Sequence, residues 1–370
     1  MSKLRIEDMD TNFAASKIVE DGVLWRDARA SEFRIKGLHW LTENIGALYR
    51  LPIRAENIVR PPVWELAKAP ASAYVEFSTD STKIAVKAVT IDGYDLPNMT
   101  PCGCRGLALY HRGAFGRWHP CGTAMPQFGC PEYQSTLVEE LVKERRDYRL
   151  YLPLYKELTS LLIGIDEDAL VFAPQDKQTK PIVFYGTSIT QGGCASTAGT
   201  DYVSIIGREL NSDVINLGFS GNGMGEPEVA QLTAEIDAAL FVLDYNANVN
   251  VEQLHQTLPI FTDILREKYP ATPIVYVTPT FHGKITLQET VARYYEDKRD
   301  IMVAEYIRRR NLHDQNIHLV DGYALCDYGS DSALVDCVHP TDYGFRIFAN
   351  RLMPYLEMIL DRAARQDRIR

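Results

Sequence analysis

From residue 182 onward the sequence repeats one alternation five times: a short apolar run, a small polar turn, then a stretch with helical spacing. The apolar runs are 182–185 (IVFY), 214–217 (VINL), 239–244 (ALFVLD), 274–278 (IVYVT) and 317–321 (IHLVD). Helices are expected over 201–210, 227–236, 251–268, 287–310 and 343–362, with Pro227 where a first helical turn accepts proline. Strands this short and this uniformly apolar are buried on both faces, and parallel neighbours need a crossover between them. The alternation therefore predicts a flavodoxin-like three-layer α/β/α domain with a parallel five-stranded sheet. Any ligand should sit outside the carboxyl ends of its strands.

The first half follows a different rule. Residues 73–78, 83–89, 107–111, 148–154 and 161–165 are short strand-like runs separated by Gly and Pro turns, which predicts a β-sandwich. One helix is expected to interrupt them over 132–145. The polar, proline-flanked stretch APQDKQTKP at 173–181 reads as a linker, dividing the chain into a sandwich at 1–175 and an α/β domain at 180–370.

Several function classes are disfavoured by charge and by what the chain lacks. With 39 Lys and Arg against 49 Asp and Glu the net charge is −10, which opposes nucleic acid binding and, more weakly, docking on anionic membranes. No apolar run is long enough to cross a bilayer, and the start MSKLRIEDMDTNF lacks the apolar core of a secretory signal, so a cytoplasmic protein is expected. A homo-oligomer is compatible with this composition. Seven scattered cysteines fit reduced thiols better than a disulfide framework. Cys102, Cys104, Cys121 and Cys130 cluster around His111 and His119, but their spacing matches no zinc-ribbon or finger pattern. Buried thiols are expected there, and neither a metal nor another cofactor.

The turns after the predicted strands carry the chemistry. The first strand ends in Gly186-Thr187-Ser188, and a serine in a glycine-flanked strand-to-helix turn exposes its hydroxyl as a nucleophile requires. The second ends in Asn216-Leu217-Gly218-Phe219-Ser220-Gly221, whose glycines let backbone N–H groups approach a ligand. The third ends in Asp244-Tyr245-Asn246-Ala247-Asn248, where a side-chain amide can donate to a developing oxyanion. Each turn alone reads as well as plain turn chemistry. The discriminating segment is Asp336-Cys337-Val338-His339-Pro340-Thr341, just before the last helix. A carboxylate three residues before a histidine can hold its Nδ1 and leave Nε2 free to take a serine proton. Thr341 is a candidate N-cap. A flavodoxin-like nucleotide site is disfavoured, because no lysine stands in P-loop position and no G-x-G-x-x-G opens the domain.

These turns, taken in order, resemble the motif blocks of the SGNH, or GDSL, hydrolase family. The resemblance implies a serine esterase with Ser188 as nucleophile and Asp336 and His339 completing the triad. Ser188 N–H, Gly221 N–H and the Asn248 amide would form the oxyanion hole, with Asn246 as the alternative amide. Thr187 stands where the family usually has Asp. Gly93-Tyr94-Asp95-Leu96-Pro97 resembles the Gly-x-Asp-Leu-Tyr motif of a branch with an N-terminal jelly-roll-like sandwich, and Tyr49-Arg50-Leu51-Pro52 also fits that branch. A sandwich ahead of an SGNH domain is similar to carbohydrate acetylesterases, so acetyl esters on sugars are the expected substrates. Trp40, Trp64 and Trp118 are candidates for a sugar-stacking wall, although each is also large enough to be core. A short-chain thioesterase or arylesterase on small metabolites, and a catalytically silent binding protein, are the alternatives.

Overall fold

In the computed structural model residues 6–10, 22–91, 96–174, 179–326 and 332–367 are described. Alternating inward and outward side chains in the first half build ten strands: β1 (Val23–Asp27), β2 (Arg34–Lys36), β3 (Tyr74–Thr79), β4 (Ile84–Thr90), β5 (Leu107–Arg112), β6 (Trp118–Ala124), β7 (Glu132–Val138), β8 (Arg146–Tyr151), β9 (Leu158–Asp166) and β10 (Val171–Phe172). They form two antiparallel sheets, ordered β1-β9-β4-β7 and β10-β3-β8-β5-β6, with β2 paired to β3. Val75, Phe77, Leu109 and Leu150 from one sheet meet Val86, Leu137 and Ile163 from the other in one core, which is the β-sandwich.

The helix expected over 132–145 is not there. Residues Glu132–Val138 are a strand, paired antiparallel with β4 from Val89↔Glu132 to Ile84↔Val138. The segment EELVKERR that follows has high helix propensity, but it forms no helix either. Within 132–138, however, Ser135 and Leu137 alternate inward, and the exposed flank of β4 needs a partner for its backbone groups. Pairing outweighed local propensity.

The second half carries the sheet β11 (Ile182–Gly186), β12 (Val214–Gly218), β13 (Leu240–Asp244), β14 (Ile274–Val277) and β15 (Ile317–Val320), all parallel, in the order β12-β11-β13-β14-β15. Side chains alternate strictly between two cores. Val183, Tyr185, Ile215, Leu217, Phe241 and Leu243 face helices Pro227–Thr233, Val251–Lys268 and Glu289–Asn311. Ile182, Phe184, Val214, Leu240 and Val242 face helices Tyr202–Glu209 and Asp342–Asp367. This is the flavodoxin-like three-layer arrangement of SGNH hydrolases. No helix among the described residues is long and apolar enough to cross a membrane.

The first half also fills both of these cores. Trp40, Leu51, Val63 and Trp64 pack on one face of the parallel sheet, and Met99, Cys104 and Leu154 on the other. Trp40 and Trp64 are thus core residues, and Trp40 Nε1 donates to Glu235 at 2.9 Å. Trp118 lies under the Arg149 guanidinium, 4.3 Å from its ring centre. The three tryptophans form no common wall.

Strand order reverses at β11, which has β12 on one side and β13 on the other. The connection leaving β11 runs to β12 on one side and that leaving β13 runs to β14 on the other, which leaves a crevice between the carboxyl ends of β11 and β13.

Candidate active site

Ser188 stands at the mouth of that crevice, and glycine makes its turn feasible. A Cβ at Gly186, the last residue of β11, would lie 2.0 Å from Thr190 Oγ1 and 2.7 Å from the Asp244 carbonyl oxygen. The chain then enters a single helical turn, Ser188–Gln191, capped by the Thr187 hydroxyl, which accepts the Ile189 N–H at 3.4 Å. The hydroxyl of Thr187 thus supplies local capping where the family usually has a carboxylate.

The next loop is fastened directly to this turn. Asn216 donates to the Thr190 carbonyl at 2.6 Å and to Ser72 Oγ at 2.8 Å, and its own carbonyl accepts the Gly218 N–H at 2.8 Å. Gln191 accepts the Ser220 N–H at 2.9 Å and donates to the Leu154 carbonyl at 3.1 Å. From the first half, the fully buried Arg50 donates to the carbonyls of Gly218, Asn216, Ala69 and Leu66, with its guanidinium over Phe219. Burial alone pulls that guanidinium down to about 9.

Histidine and aspartate arrive on a tight loop between Ala333 and the last helix. Val335 N–H donates to the His339 carbonyl at 2.8 Å, and Thr341 N–H to the Ala333 carbonyl at 3.0 Å. Cys337 takes the left-handed conformation, φ +66°, that folds His339 back over Asp336. Thr341 caps the helix, its hydroxyl accepting the Gly344 N–H at 3.2 Å. His339 Nε2 lies 2.8 Å from Ser188 Oγ, and its Nδ1 lies 2.8 Å from Asp336 Oδ2. Asp336 Oδ1 accepts the His339 N–H at 2.8 Å and the Val338 N–H at 3.2 Å, while Asn98 Nδ2 donates to Oδ2 at 2.7 Å. Partial burial would raise this carboxyl. The His339 N–H, the imidazole and the Asn98 amide together outweigh it and hold it at about 2. A fixed carboxylate, an imidazole and a hydroxyl in series can move a proton off the serine.

Three donors border the same crevice. The N–H groups of Ser188 and Gly221 find no acceptor among the described residues. Gly221 has φ +67° with open space where a Cβ would stand, so the glycine serves its backbone conformation. Asn248, half-buried on the turn Asn246–Asn248, makes a long 3.3 Å bond to the Phe219 carbonyl. Asn246 is buried, and its amide is taken by the Val277 carbonyl at 3.0 Å. Of the two amides, only that of Asn248 stands near the Phe219–Gly221 loop.

Among the described residues, one His/Cys/Asp/Glu group could hold a metal: Cys194, Asp336 and His339, with candidate ligand atoms within 4.8 Å of one another. Asp336 and His339 are already bonded to each other, and burial together with Asp336 pushes the Cys194 thiol up to about 11. Cys102, Cys104, Cys121 and Cys130 form no such group, and all seven cysteines carry free thiols.

Sequence reasoning missed Asn98, Tyr155 and Asp244. Asn98 follows the Gly-x-Asp-Leu-Tyr-like motif, of which residues 93–95 lie outside the described residues. Tyr155 OH sits 3.5 Å from the Ser188 carbonyl. Asp244 is buried beneath the nucleophile turn, where it accepts from Tyr202 OH at 3.2 Å, and burial pushes it up to about 7. Of the three, Asp244 alone lies in a turn that the sequence singles out, and nothing in the sequence marks it as a buried acid.

The model of the GDSL-like lipase/acylhydrolase family matches residues 179–357, and that of the GxDLY domain, the N-terminus of SGNH hydro-type esterases, matches 23–171. A solved structure named as a GDSL-like lipase, from Bacteroides ovatus, is 29% identical, with a TM-score of 0.84 over 92% of this chain and 98% of that one. A salicylyl-acyltransferase from a tetracycline biosynthetic pathway is 21% identical, with a TM-score of 0.74 over 89% and 95%. A family two carbohydrate esterase from Clostridium thermocellum, solved with cellohexaose, is 14% identical, with a TM-score of 0.59 over 79% and 93%. The last two share the fold. No curated protein matches the sequence.

Proposed function

The chain belongs to the GDSL-like lipase/acylhydrolase family, in the branch with a GxDLY N-terminus, and is a carboxylic ester hydrolase; from that premise we propose that it removes short acyl groups, chiefly acetyl, from carbohydrate esters by serine catalysis. The observation that carries this reading is the unbroken series Asp336–His339–Ser188, with both links at 2.8 Å. His339 Nε2 takes the Ser188 proton as Oγ attacks the ester carbonyl. The tetrahedral oxyanion is held by the N–H groups of Ser188 and Gly221 and the amide of Asn248. Collapse expels the alcohol, which takes the proton from the imidazolium. Water then attacks the acyl-enzyme with His339 again as base, releasing the carboxylic acid and free Ser188.

One feature favours a bulky alcohol. His339 and Asp336 keep 24% and 33% of their side-chain surface exposed, so the leaving-group side is open enough for a sugar. The fold shared with family two carbohydrate esterases points the same way. We retain 1–175 and 180–370 as the two functional units, with an oligosaccharide or small-molecule ester as the partner. The test is p-nitrophenyl ester hydrolysis from acetate to octanoate, followed by acetylated sugars against acyl thioesters. Acetate preference and sugar deacetylation support the proposal. Preferential thioester cleavage replaces it with the thioesterase alternative.

A further inference from the structure

We propose that Asn98, from the first half of the chain, is a positioning residue for the acid–base pair, so that the sandwich half completes the catalytic apparatus; this rests on the serine-esterase reading. An ionised carboxylate offers about four acceptor directions. At Asp336 all four are used: Oδ1 by the N–H groups of Val338 and His339, and Oδ2 by His339 Nδ1 and Asn98 Nδ2. Three of the four donors lie within three residues of Asp336 on its own exposed loop. Asn98 alone comes from elsewhere, 238 residues away in sequence.

The segment that follows Asn98 is fixed to the catalytic half. Met99 is buried in the core beneath the parallel sheet. Thr100 Oγ1 donates to the Ser196 carbonyl at 2.9 Å and caps the turn Pro101–Cys104. A Cβ at Gly103 would lie 2.1 Å from the Ala195 carbonyl oxygen, so the two backbones touch directly. Ser196 and Thr200 in turn donate to Asp342, at the start of the helix that follows His339. Asn98 therefore approaches Asp336 from a rigid base.

Two consequences follow for the chemistry. The Asn98 amide limits rotation of the carboxylate and hence of the imidazole plane. It also draws off part of the negative charge that stabilises the imidazolium. Without it the Asp336 carboxyl rises, the carboxylate that orients the imidazole is lost at a higher pH, and the acid limb of reactivity moves upward.

The experiment is the rate of Ser188 labelling by a fluorophosphonate against pH, in wild type, Asn98→Ala and Asn98→Asp, with Tm for each. This readout needs no native substrate. The expected result is labelling about tenfold slower for Asn98→Ala, with the acid limb raised by about half a pH unit and Tm nearly unchanged. Asn98→Asp, which keeps the shape and adds a like charge, should shift the limb further in the same direction. Unchanged rates and profiles in both variants overturn the inference while leaving the esterase reading intact. Wild type that does not label at Ser188 overturns both.

Discussion

The two sides of the active site are built by opposite means. Ser188 and the loop 216–221 stand on buried strands and are fastened by glycine contacts and by buried Asn216, Gln191 and Arg50. Asp336 and His339 sit on an exposed loop whose order comes from its own hydrogen bonds, from Asn98 and from the capped helix behind it. The difference teaches where damage will show. Changes on the acid–base side should remove activity from a folded protein, and changes under the nucleophile should weaken the fold itself.

Asp336→Asn tests the first half of that contrast most severely. It leaves the loop in place but reverses the hydrogen bond to Nδ1, and kcat on p-nitrophenyl acetate should fall about 10⁴-fold with Tm almost unchanged. Asn248→Ala removes one donor from the oxyanion and should lower kcat about 10²–10³-fold in a protein of normal stability. A normal kcat there would move the amide role elsewhere.

Arg50→Met tests the other side. It strips four carbonyls, three of them buried, of a shared donor, so denaturant unfolding should show a loss of about 3–5 kcal/mol, with activity falling only as the folded fraction does. A stable but inactive variant would blur the distinction between the two sides.

The smallest effect separates the two carboxylates by sign. Asp336 has a lowered pKa, so its stabilising contribution is present above about 4, the unfolded value, and is lost as pH falls toward 2. Asp244 has a raised pKa, about 7, so its contribution is present below about 4 and is lost as pH rises through 7. Asp244→Asn should therefore gain in Tm relative to wild type between pH 5 and pH 8. A constant Tm difference across that range would show that Asp244 does not titrate there.

What the sequence made legible follows the same division. The parallel sheet could be read because its strands are uniformly apolar and its turns are short and glycine-rich; the proposed Ser188 and Asp336–His339 stood out by their place in those turns, and Gly221 only through the resemblance to the SGNH motif blocks. The strand at Glu132–Val138 could not, because its pairing with β4 is a long-range fact that local helix propensity masks. Asn98 and Asp244 were invisible for a related reason. Their significance lies in partners 238 and 42 residues away, and no periodicity marks either one. Asn246 and Asn248 differ by two positions in one turn, and only burial separates the amide spent in the core from the one facing the crevice.

The most direct test of the central claim is p-nitrophenyl acetate turnover by wild type and Ser188→Ala, with mass analysis of the acylated peptide. The expected result is serine-dependent turnover, an acetyl group on Ser188 in wild type, and a fall of about 10⁵-fold or more in a folded Ser188→Ala protein. Equal turnover by both proteins, or acylation at another residue, would contradict the assignment of Ser188 as the nucleophile.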